Sequence, residues 1–451
     1  MRRPHAFSVL VLVLGVVLGA VVVGAVRTTA TPGSVSVLAS WTGDEEKAFR
    51  EVLDTFTERT GIRVDYQGTT AQREVLQAGV QAGTPPDIAI LPSPGELAEY
   101  AARGDLLPLG SVIGSERRAE YGEPWIPRLE LTGENGEDNV YWVPVKADLK
   151  STVWYDAQRY PASRQGLLTR LADDGEAWCL GMGNDATSGW PGTDWIEDIL
   201  LQRSGPRVYA DWATGKPGSW TSDEVREAWR AWGRILTGES SEAFAEALTT
   251  DFETASRGLF AQPSSCALDH QGSFIRGLYE RPEDGASAPR ADYLPSSHFL
   301  IPEGTDRTDQ TAWEVSADFA GMFRATAQAK ELMRFLASAP AQREWAVSTP
   351  DDLPRPLSAN REVPPSTYAA DQVTSRIAAT LRGTGTRCLD ASDSMPPPMR
   401  DAFHHAVLTF ISSPDTYLSS SGELDTLLKR LEHVRSQVAD ANGTWLPSVC
   451  G

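Results

Sequence analysis

The chain of 451 residues is poor in basic side chains, with 41 lysines and arginines against 61 aspartates and glutamates. The net charge of −20 argues against a nucleic-acid partner, because nucleic-acid binding depends on neutralising phosphates with cationic side chains. It also argues against an anionic membrane surface as a partner, and solubility explains the acidity more simply. Hydrophobic residues still make up 41% of the sequence, so a sizeable core is possible and general disorder is excluded.

Several motifs of common enzymes and metal sites are missing. The sequence contains no GxSxG, HExxH or P-loop pattern. Its four cysteines form no CxxC motif and no close Cys/His spacing, so nothing predicts a zinc site. We therefore predict no metal and no cofactor. The sequence also has no internal repeat and no low-complexity tract, which excludes solenoid and array architectures.

The N-terminus has one long uncharged run, from Ala6 to Val26, preceded by Arg2, Arg3 and His5. The run fits either a signal peptide, with a weak small-residue cleavage site at Val23-Gly24-Ala25, or an uncleaved membrane anchor. Both alternatives export the rest of the chain and leave the basic end in the cytoplasm. No Cys lies near the end of the run, which excludes a lipid-anchored cysteine on this sequence. Residues 1–33 are thus a signal or anchor with a linker.

The cysteines suggest disulfides, because their number is even and the chain is exported. Three connectivities are possible among four cysteines. We favour Cys179–Cys266 and Cys388–Cys450, since each pair then stays within one region of the sequence.

The body of the chain opens with a strand followed by a helix. The apolar, β-branched stretch Val35–Ser40 predicts a buried strand. Asp44 is a plausible N-cap for the helix after it, with Glu45 and Glu46 in the first turn and Gly61 at its end. The connecting loop carries an indole, Trp41, and several hydrogen-bonding groups, which suits a ligand site. An ordinary βα turn is the alternative.

Two more strand–helix units follow, with strands at 63–67 and 87–91. Such a succession predicts parallel strands joined by helical crossovers. The carboxyl ends of parallel strands share one edge of the sheet, so the loops at 40–45, 68–70 and 92–94 are expected to lie together. This clustering makes the three loops a candidate site.

Two later stretches carry polar residues in unusual places. Residues 141–156 contain two strand-like runs around Lys146, Asp148 and Lys150, which indicates either a strand crossing between lobes or an exposed antiparallel hairpin. In the stretch GWPGTDW, Trp190 and Trp195 flank a helix start that Thr193 or Asp194 would cap. Indole faces beside a carboxylate suit a sugar, although Trp in an α/β protein more often packs in the core. The total of 14 tryptophans favours carbohydrate.

By these motifs the chain resembles the extracellular solute-binding proteins of sugar ABC transporters. The resemblance spans about residues 35–440 and rests on SWTGDEEKAFREVLDTFTERTGI, TPPDIAILPSPGELAEYAARGDLLPL and AKELMRFLASAPAQREWA. The pieces GWPGTDWIEDI and CALDHQGSFI look closest to the α-glucoside-binding branch, which also has cysteines at positions like Cys179 and Cys266. The family usually carries a lipidated Cys after the signal in Gram-positive-like bacteria, and this chain departs from that pattern.

The resemblance implies a type II periplasmic-binding-protein fold, with two α/β lobes joined by crossing hinge strands. It places residues 34–145 and 272–345 in lobe 1, and residues 149–268 and 350–451 in lobe 2. The implied ligand is a small oligosaccharide, and the implied partner is a membrane permease to which a monomeric, extracytoplasmic protein delivers it. Carried over by position, the cleft residues are Trp41, Thr42, Asp44, Glu45, Lys146, Trp190, Asp194, Trp195, Gln271 and Asp318.

Two other functions remain as alternatives. One is a glycoside hydrolase that uses Asp44 and Glu45 as its acid and base, but adjacent residues on one helical turn point apart. The other is a membrane-anchored sensor domain, against which the chain shows no kinase or transducer segment. Product formation would separate a binding protein from a hydrolase, and the identity of a captured partner would separate transport from sensing.

Overall fold

The structure, a computed structural model, describes residues 33–127, 129, 140–160, 178–236, 241–279, 291–301, 312–350, 353–419 and 421–451. It opens with the three predicted strand–helix units, which are β1 (Ser34–Ala39), α1 (Gly43–Thr60), β2 (Arg63–Gly68), α2 (Gln72–Gln81), β3 (Ile88–Leu91) and α3 (Pro94–Ala102). β1 pairs in parallel with both β2 and β3, as predicted. The predicted N-cap is wrong by two residues, because the chain turns at Gly43, which has a φ of 62°, and Thr42 takes the N-cap position.

The remaining strands range from two to 11 residues and are widely spaced along the chain. They are β4 (Trp142–Leu149), β5 (Thr152–Asp156), β6 (Asp269–His270), β7 (Ala291–Pro295), β8 (Ala312–Met322) and β9 (Thr386–Leu389). The helices between β3 and β8 are α4 (Ser115–Ala119), α5 (Trp190–Ser204), α6 (Pro206–Ala213), α7 (Asp223–Leu236), α8 (Ser241–Thr249), α9 (Phe252–Arg257), α10 (Arg276–Tyr279) and α11 (Ser297–Leu300). The later helices are α12 (Ala327–Leu336), α13 (Ala339–Ser348), α14 (Gln372–Arg382), α15 (Ala391–Ser394), α16 (Pro397–Ile411), α17 (Pro414–Ser419) and α18 (Ser421–Asp440).

The long strand β8 connects two parts of the molecule. The main sheet has the order β2-β1-β3-β8-β4, with β9 also beside β8. Residues 319–322 of β8 pair antiparallel with β3, whereas residues 312–315 pair in parallel with β9. β4 runs antiparallel along the other edge of β8, from Trp142 to Leu149. The two strands therefore run together from the β3 part of the sheet into the β9 part.

The two runs at 141–156 do not form a hairpin. β4 belongs to the main sheet, whereas β5 lies in a separate three-stranded sheet between β6 and β7. The chain thus leaves one sheet and enters another at Lys150 and Ser151. The alternative of an exposed hairpin is wrong, because the residues of both strands are almost all buried by partners from distant segments.

Two hydrophobic clusters fill the interior. One packs β1 against α1, α12 and α13, through residues such as Val35, Phe49, Leu332 and Trp345. The other is larger and includes α5, α7 and α16. Seven tryptophans are less than 2% exposed, namely Trp125, Trp142, Trp154, Trp212, Trp220, Trp229 and Trp232. The abundance of tryptophan therefore reflects the core more than a sugar site.

Both predicted disulfides are present. The structure joins Cys179 to Cys266 and Cys388 to Cys450. The second bond ties the C-terminal residues to β9, beside which Cys450 forms a bridge pair. The run Ala6–Val26 lies outside the described residues, and among the residues that are described no helix is both long and apolar enough to cross a membrane.

Candidate functional site

A cavity of about 520 Å³ lies at the carboxyl ends of the three parallel strands. This volume is within the range of about 300–1,000 Å³ that small-molecule sites occupy. Each of the three loops predicted to cluster contributes to the wall: Ser40 and Trp41 follow β1, Thr70 follows β2, and Ser93 follows β3. The prediction that these loops share one edge is confirmed, because parallel strands bring their carboxyl ends to the same side.

Segments distant in sequence form the rest of the wall. The strand β4 and its end contribute Lys146, Asp148 and Lys150, and the first turns of α5 contribute Trp190 and Asp194. Further lining residues are Asn184, Thr187, Phe252, Glu253, Ser273, Phe274, Arg276, Asp318, Trp345, Leu353, Pro354, Arg355, Pro356, Leu357, Asp390, Ser392, Asp393, Arg400 and His404. Polar and aromatic groups from many elements thus converge on one space.

Trp190 and Trp195 have different surroundings, although they lie close in sequence. The helix α5 begins at Trp190 with Gly189 at its N-cap, earlier than the predicted cap at Thr193 or Asp194, because Gly189 adopts a φ of 106°. Trp190 and Asp194 are then one turn apart and share the face towards the cavity. Trp195 is rotated away and is 3% exposed. Its ring stacks on His270 at 4.3 Å, so the structure places it in the core rather than in the cavity wall.

Gln271 and Thr42 are also outside the cavity wall. Gln271 is 5% exposed, and its backbone carbonyl accepts hydrogen bonds from the Thr152 hydroxyl at 2.5 Å and the Trp154 indole at 2.9 Å. Those bonds tie Gln271, which directly follows β6, to β5, and the chain after β6 first reaches the cavity at Ser273 and Phe274. Thr42 is exposed at the start of α1.

Trp41 and Asp318 meet at one end of the cavity. The Trp41 side chain donates a hydrogen bond to Asp318, and its ring packs edge-on against Phe49 and Trp345 at 4.7 and 4.6 Å. Trp41 is only 4% exposed, so its indole is held rigidly and shows an edge to the cavity. Next to this pair, Lys146 donates to Glu45 over 2.5 Å and lies opposite Asp318 across β4 and β8.

Lys150 organises the other end of the cavity. Its ammonium lies 2.6 Å from Asp194 and 3.0 Å from Asp390, and 5.1 Å from the centre of the Trp190 ring. Carboxylate oxygens of Asp194, Glu314 and Asp390 come within 4.8 Å of one another, which is a spacing that a metal ion could use. Because the ammonium already lies against two of these three carboxylates, Lys150 supplies the cation that a metal would otherwise provide.

The cavity carboxyls have unusual proton affinities. Burial raises the pKa of Asp318 to about 7; Lys146 opposes this rise, whereas Glu45 and Asp148 add to it. Burial also raises the pKa of Asp194 to about 7, against the pull of Lys150. Burial lowers the pKa of Lys146, but the carboxylates of Glu45, Asp148 and Asp318 more than offset that effect, so the pKa ends above its usual value and the ammonium stays charged.

Contacts beside the cavity join α2 and α3 to α15 and α16. The Ser93 hydroxyl donates to the backbone carbonyl of Asp393 at 2.7 Å. The buried guanidinium of Arg400 lies 3.4 Å from Glu96, and Arg73 pairs with Asp401 at 3.1 Å. These are segments that the sequence analysis assigned to different lobes, and the charged pairs lie beside the cavity.

Several lining residues give little or no signal in the sequence. Asp390 and Asp393 follow β9, and the rule that ligands lie at the carboxyl ends of strands would have found them had TRCL been recognised as a strand. The segment Leu353–Leu357 gave no signal beyond its prolines, and Phe274 and Arg276 gave none.

The chain matches the family model described as "Bacterial extracellular solute-binding protein" over residues 40–343. It is 30% identical over 332 residues to the Alpha-glucosides-binding periplasmic protein AglE of Rhizobium meliloti (strain 1021), covering 70% of this chain and 71% of that protein. It is 31% identical over 376 residues to the Osmoprotective compounds-binding protein GgtB of Synechocystis sp. (strain ATCC 27184 / PCC 6803 / Kazusa), covering 80% of this chain and 84% of the relative.

Solved structures agree with the fold. The bacterial solute receptor AcbH, described as having an exclusive preference for β-D-galactopyranose, superimposes with a TM-score of 0.62 at 17% identity. The match covers 91% of this chain and 98% of that receptor. At this identity the likeness establishes the fold alone, which is that of a two-lobed periplasmic binding protein.

Proposed function

The chain belongs to the family of bacterial extracellular solute-binding proteins, and on that premise we propose that it is the extracytoplasmic receptor of an ABC importer. It binds a carbohydrate, a small oligosaccharide, in the cavity and delivers it unchanged to a permease. The relatives are binding proteins and not enzymes. The protein acts as a monomer, secreted or tethered by its N-terminal hydrophobic segment.

The observation that carries this proposal is the composition of the cavity wall. The side chains of Trp190 and Phe274 offer apolar ring surface, while Asp194, Asp318 and Glu45 offer carboxylate oxygens that accept sugar hydroxyls. Both the parallel strand loops and the α5 segment contribute, so a ligand contacts the two sides only when they are close together. Ligand binding therefore favours the closed arrangement of the lobes.

The proposed lobes follow the sequence analysis. Lobe 1 takes residues 34–145 and 272–345, and lobe 2 takes residues 149–268 and 350–451, except that β7 (Ala291–Pro295) goes with lobe 2, because it pairs with β5 in the separate sheet. Strands β4 and β8 cross between them, which supports a hinge at these strands.

A thermal-shift screen tests the proposal. The chain from Ser34 onward is screened against monosaccharides and oligosaccharides, because a ligand that binds only the native state raises the unfolding midpoint. We expect at least one sugar to raise the midpoint and to be recovered intact. A screen in which no sugar changes the midpoint, or in which the sugar is cleaved, would contradict the proposed function.

A further inference from the structure

Two lysines, each among several carboxylates, face the same cavity. Lys146 contacts Glu45 at 2.5 Å and lies in the electrostatic field of Asp148 and Asp318.

The second lysine has a similar environment. Lys150 contacts Asp194 and Asp390, and the carboxyl groups of Glu314 and Asp393 act on it electrostatically as well. Each ammonium therefore neutralises only one of at least three carboxylates, and both clusters are left with an excess of negative charge when ionised.

The arginines of the cavity wall bind groups outside the two lysine clusters. Arg400 and Arg73 pair with Glu96 and Asp401. Arg276 pairs with Asp371 at 2.6 Å, and Arg355 donates to the backbone carbonyl of Thr367 at 2.7 Å. The lining residues in total comprise nine aspartates or glutamates and six lysines or arginines, so acidic groups outnumber basic groups in the cavity as a whole.

Some carboxylate oxygens in the Lys150 cluster lack partners. Asp194 is 3% exposed and lines the cavity, and its Oδ1 accepts no hydrogen bond within the described chain. Both carboxylate oxygens of the fully buried Glu314 also lack partners there. A buried, unpartnered carboxylate is costly, and a cationic or hydrogen-bond-donating ligand group removes that cost.

Resting on the proposed function, we propose that the natural ligand is an amine-bearing sugar, whose ammonium binds at the carboxylates beside Lys146 or Lys150. An ammonium offers three donors and a full positive charge to carboxylates that already surround a similar group. The aromatic faces of Trp190 and Phe274 lie 5.1 and 5.8 Å from the Lys150 ammonium, so the same corner accommodates cations as well as sugar rings.

The proton affinities of the carboxyls fit this inference. The pKa values of Asp318 and Asp194, both about 7 because of burial, mean that each carboxyl is about half protonated at neutral pH in the ligand-free protein. Asp318 is surrounded by Lys146, Glu45, Asp148 and the Trp41 indole. The charged and titratable neighbours of Asp194 are Lys150, Asp390, His270, Glu197, Glu314 and Asp393. A bound ammonium lowers the pKa of whichever of these two carboxyls it lies against, so binding releases protons from that carboxyl. A neutral sugar gives no such release.

Isothermal titration calorimetry with matched sugars tests the inference. The probes are glucosamine against glucose, galactosamine against galactose, and the β1,4-linked disaccharide of glucosamine against cellobiose. We expect at least one amino sugar to bind about tenfold or more tightly than its neutral counterpart at pH 7. The binding enthalpy should also depend on the ionisation enthalpy of the buffer, because protons leave the protein.

Variants then assign the preference to the two clusters. Asp318→Asn and Asp194→Asn each remove one carboxylate at nearly constant volume, and at least one of them should lower the ratio of amino-sugar to neutral-sugar affinity about tenfold. Asp65→Asn, on the surface of β2, is the control and should leave the ratio unchanged. Circular dichroism and the unfolding midpoint verify that each variant folds.

The outcomes separate this inference from the function on which it rests. If neutral sugars bind as tightly as their amino counterparts or more tightly, the inference is overturned and the receptor function stands. If no sugar of either kind binds in this set or in the broader screen, both are overturned. An amino-sugar preference that survives in both Asp→Asn variants would place the amine elsewhere and overturn the assignment to these clusters.

Discussion

The α-carbon of Gly95 in α3 faces the backbone carbonyl oxygen of Met395, and a Cβ added to Gly95 would lie 2.1 Å from that oxygen. No real Cβ contact is this short, so the two segments can approach only because residue 95 has no side chain. In the proposed lobes these residues lie on opposite sides of the cleft. The pair therefore marks a point where the closed arrangement tolerates no additional atom.

We predict that Gly95→Ala weakens ligand binding while the ligand-free protein stays folded. The added methyl group blocks the contact with Met395 and costs the closed form about 1–3 kcal/mol, which lowers affinity about 5-fold to 150-fold. Calorimetric titration measures the affinity. The matched control is Gly79→Ala in α2, where a Cβ would meet its nearest atom at 3.4 Å, an ordinary contact. Native affinity in Gly95→Ala would show that ligand binding does not use this contact.

The ion pair between Arg400 and Glu96 leads to a second prediction. Both side chains are less than 10% exposed and lie 3.4 Å apart. Among the described residues, losing the Arg400 cation leaves the buried Glu96 carboxylate with Arg73, at 3.7 Å, as its remaining ion-pair partner. We expect Arg400→Gln to lower ligand affinity about 10-fold to 100-fold, because the cost of burying the unpaired Glu96 carboxylate falls on the closed arrangement of the lobes, to which the ligand binds.

Small-angle X-ray scattering provides the second measurement for this variant. The radius of gyration of Arg400→Gln without ligand should be larger than that of the native protein, because the contact between α3 and α16 is weakened. Arg103→Gln, which removes an exposed arginine 2.7 Å from Glu99, is the control and should change neither quantity. If Arg400→Gln and Arg103→Gln have the same ligand affinity and the same radius of gyration, the buried pair has no role in closure.

The two tryptophans of α5 should respond in opposite ways to truncation. Trp190→Ala should reduce sugar affinity tenfold or more and lower the free energy of unfolding of the ligand-free protein by only about 1 kcal/mol. Trp195→Ala should lower that free energy by about 3–5 kcal/mol, because its ring is buried against His270 and Trp178. Urea unfolding and calorimetric titration measure the two quantities. A large stability loss in Trp190→Ala would mean that this residue belongs to the core.

The raised pKa of Asp318 predicts a pH dependence of stability. Its pKa is about 7 in the folded chain and near the model-compound value of 3.8 when unfolded, so the native state binds the extra proton between these limits. The stability from this proton is fully present below pH 3.8 and is lost as the pH rises through about 7. Asp318→Asn removes this loss.

Urea unfolding at pH 5 and pH 8 checks this prediction. Relative to the native protein, Asp318→Asn should gain stability between the two pH values, by at most about 3 kcal/mol, because only the roughly two pH units between pH 5 and the folded pKa of about 7 contribute. Asp65→Asn serves as the surface control. If the native protein and Asp318→Asn differ in stability by the same amount at both pH values, the Asp318 carboxyl does not titrate in this range.

Local sequence signals predicted the first half of lobe 1 well. Alternating and apolar runs gave β1, β2 and β3, and the glycines after each helix gave the ends of the helices, because both depend on neighbours within a few residues. The rule that the carboxyl ends of parallel strands share one edge of the sheet then placed Trp41, Asp44 and Glu45 at the cavity without any knowledge of distant contacts. The same logic failed for Asp390, because β9 has the half-polar sequence TRCL, whereas β3, of the same length, has the wholly apolar sequence IAIL.

The sequence by itself determined the α/β class, the order of the first three strand–helix units and the family, because these follow from local periodicity and motif spacing. For the disulfides it favoured the observed pairing among three possible connectivities. Only the tertiary structure decided which indole of α5 faces the cavity, since the start of the helix at Gly189 sets the rotation of every residue after it. It alone brought Lys150 to Asp194 and Asp390, and Gly95 to Met395. Those pairs join segments up to 300 residues apart. No local pattern in the sequence encodes the distances within the pairs or the surplus of acidic groups around Lys150.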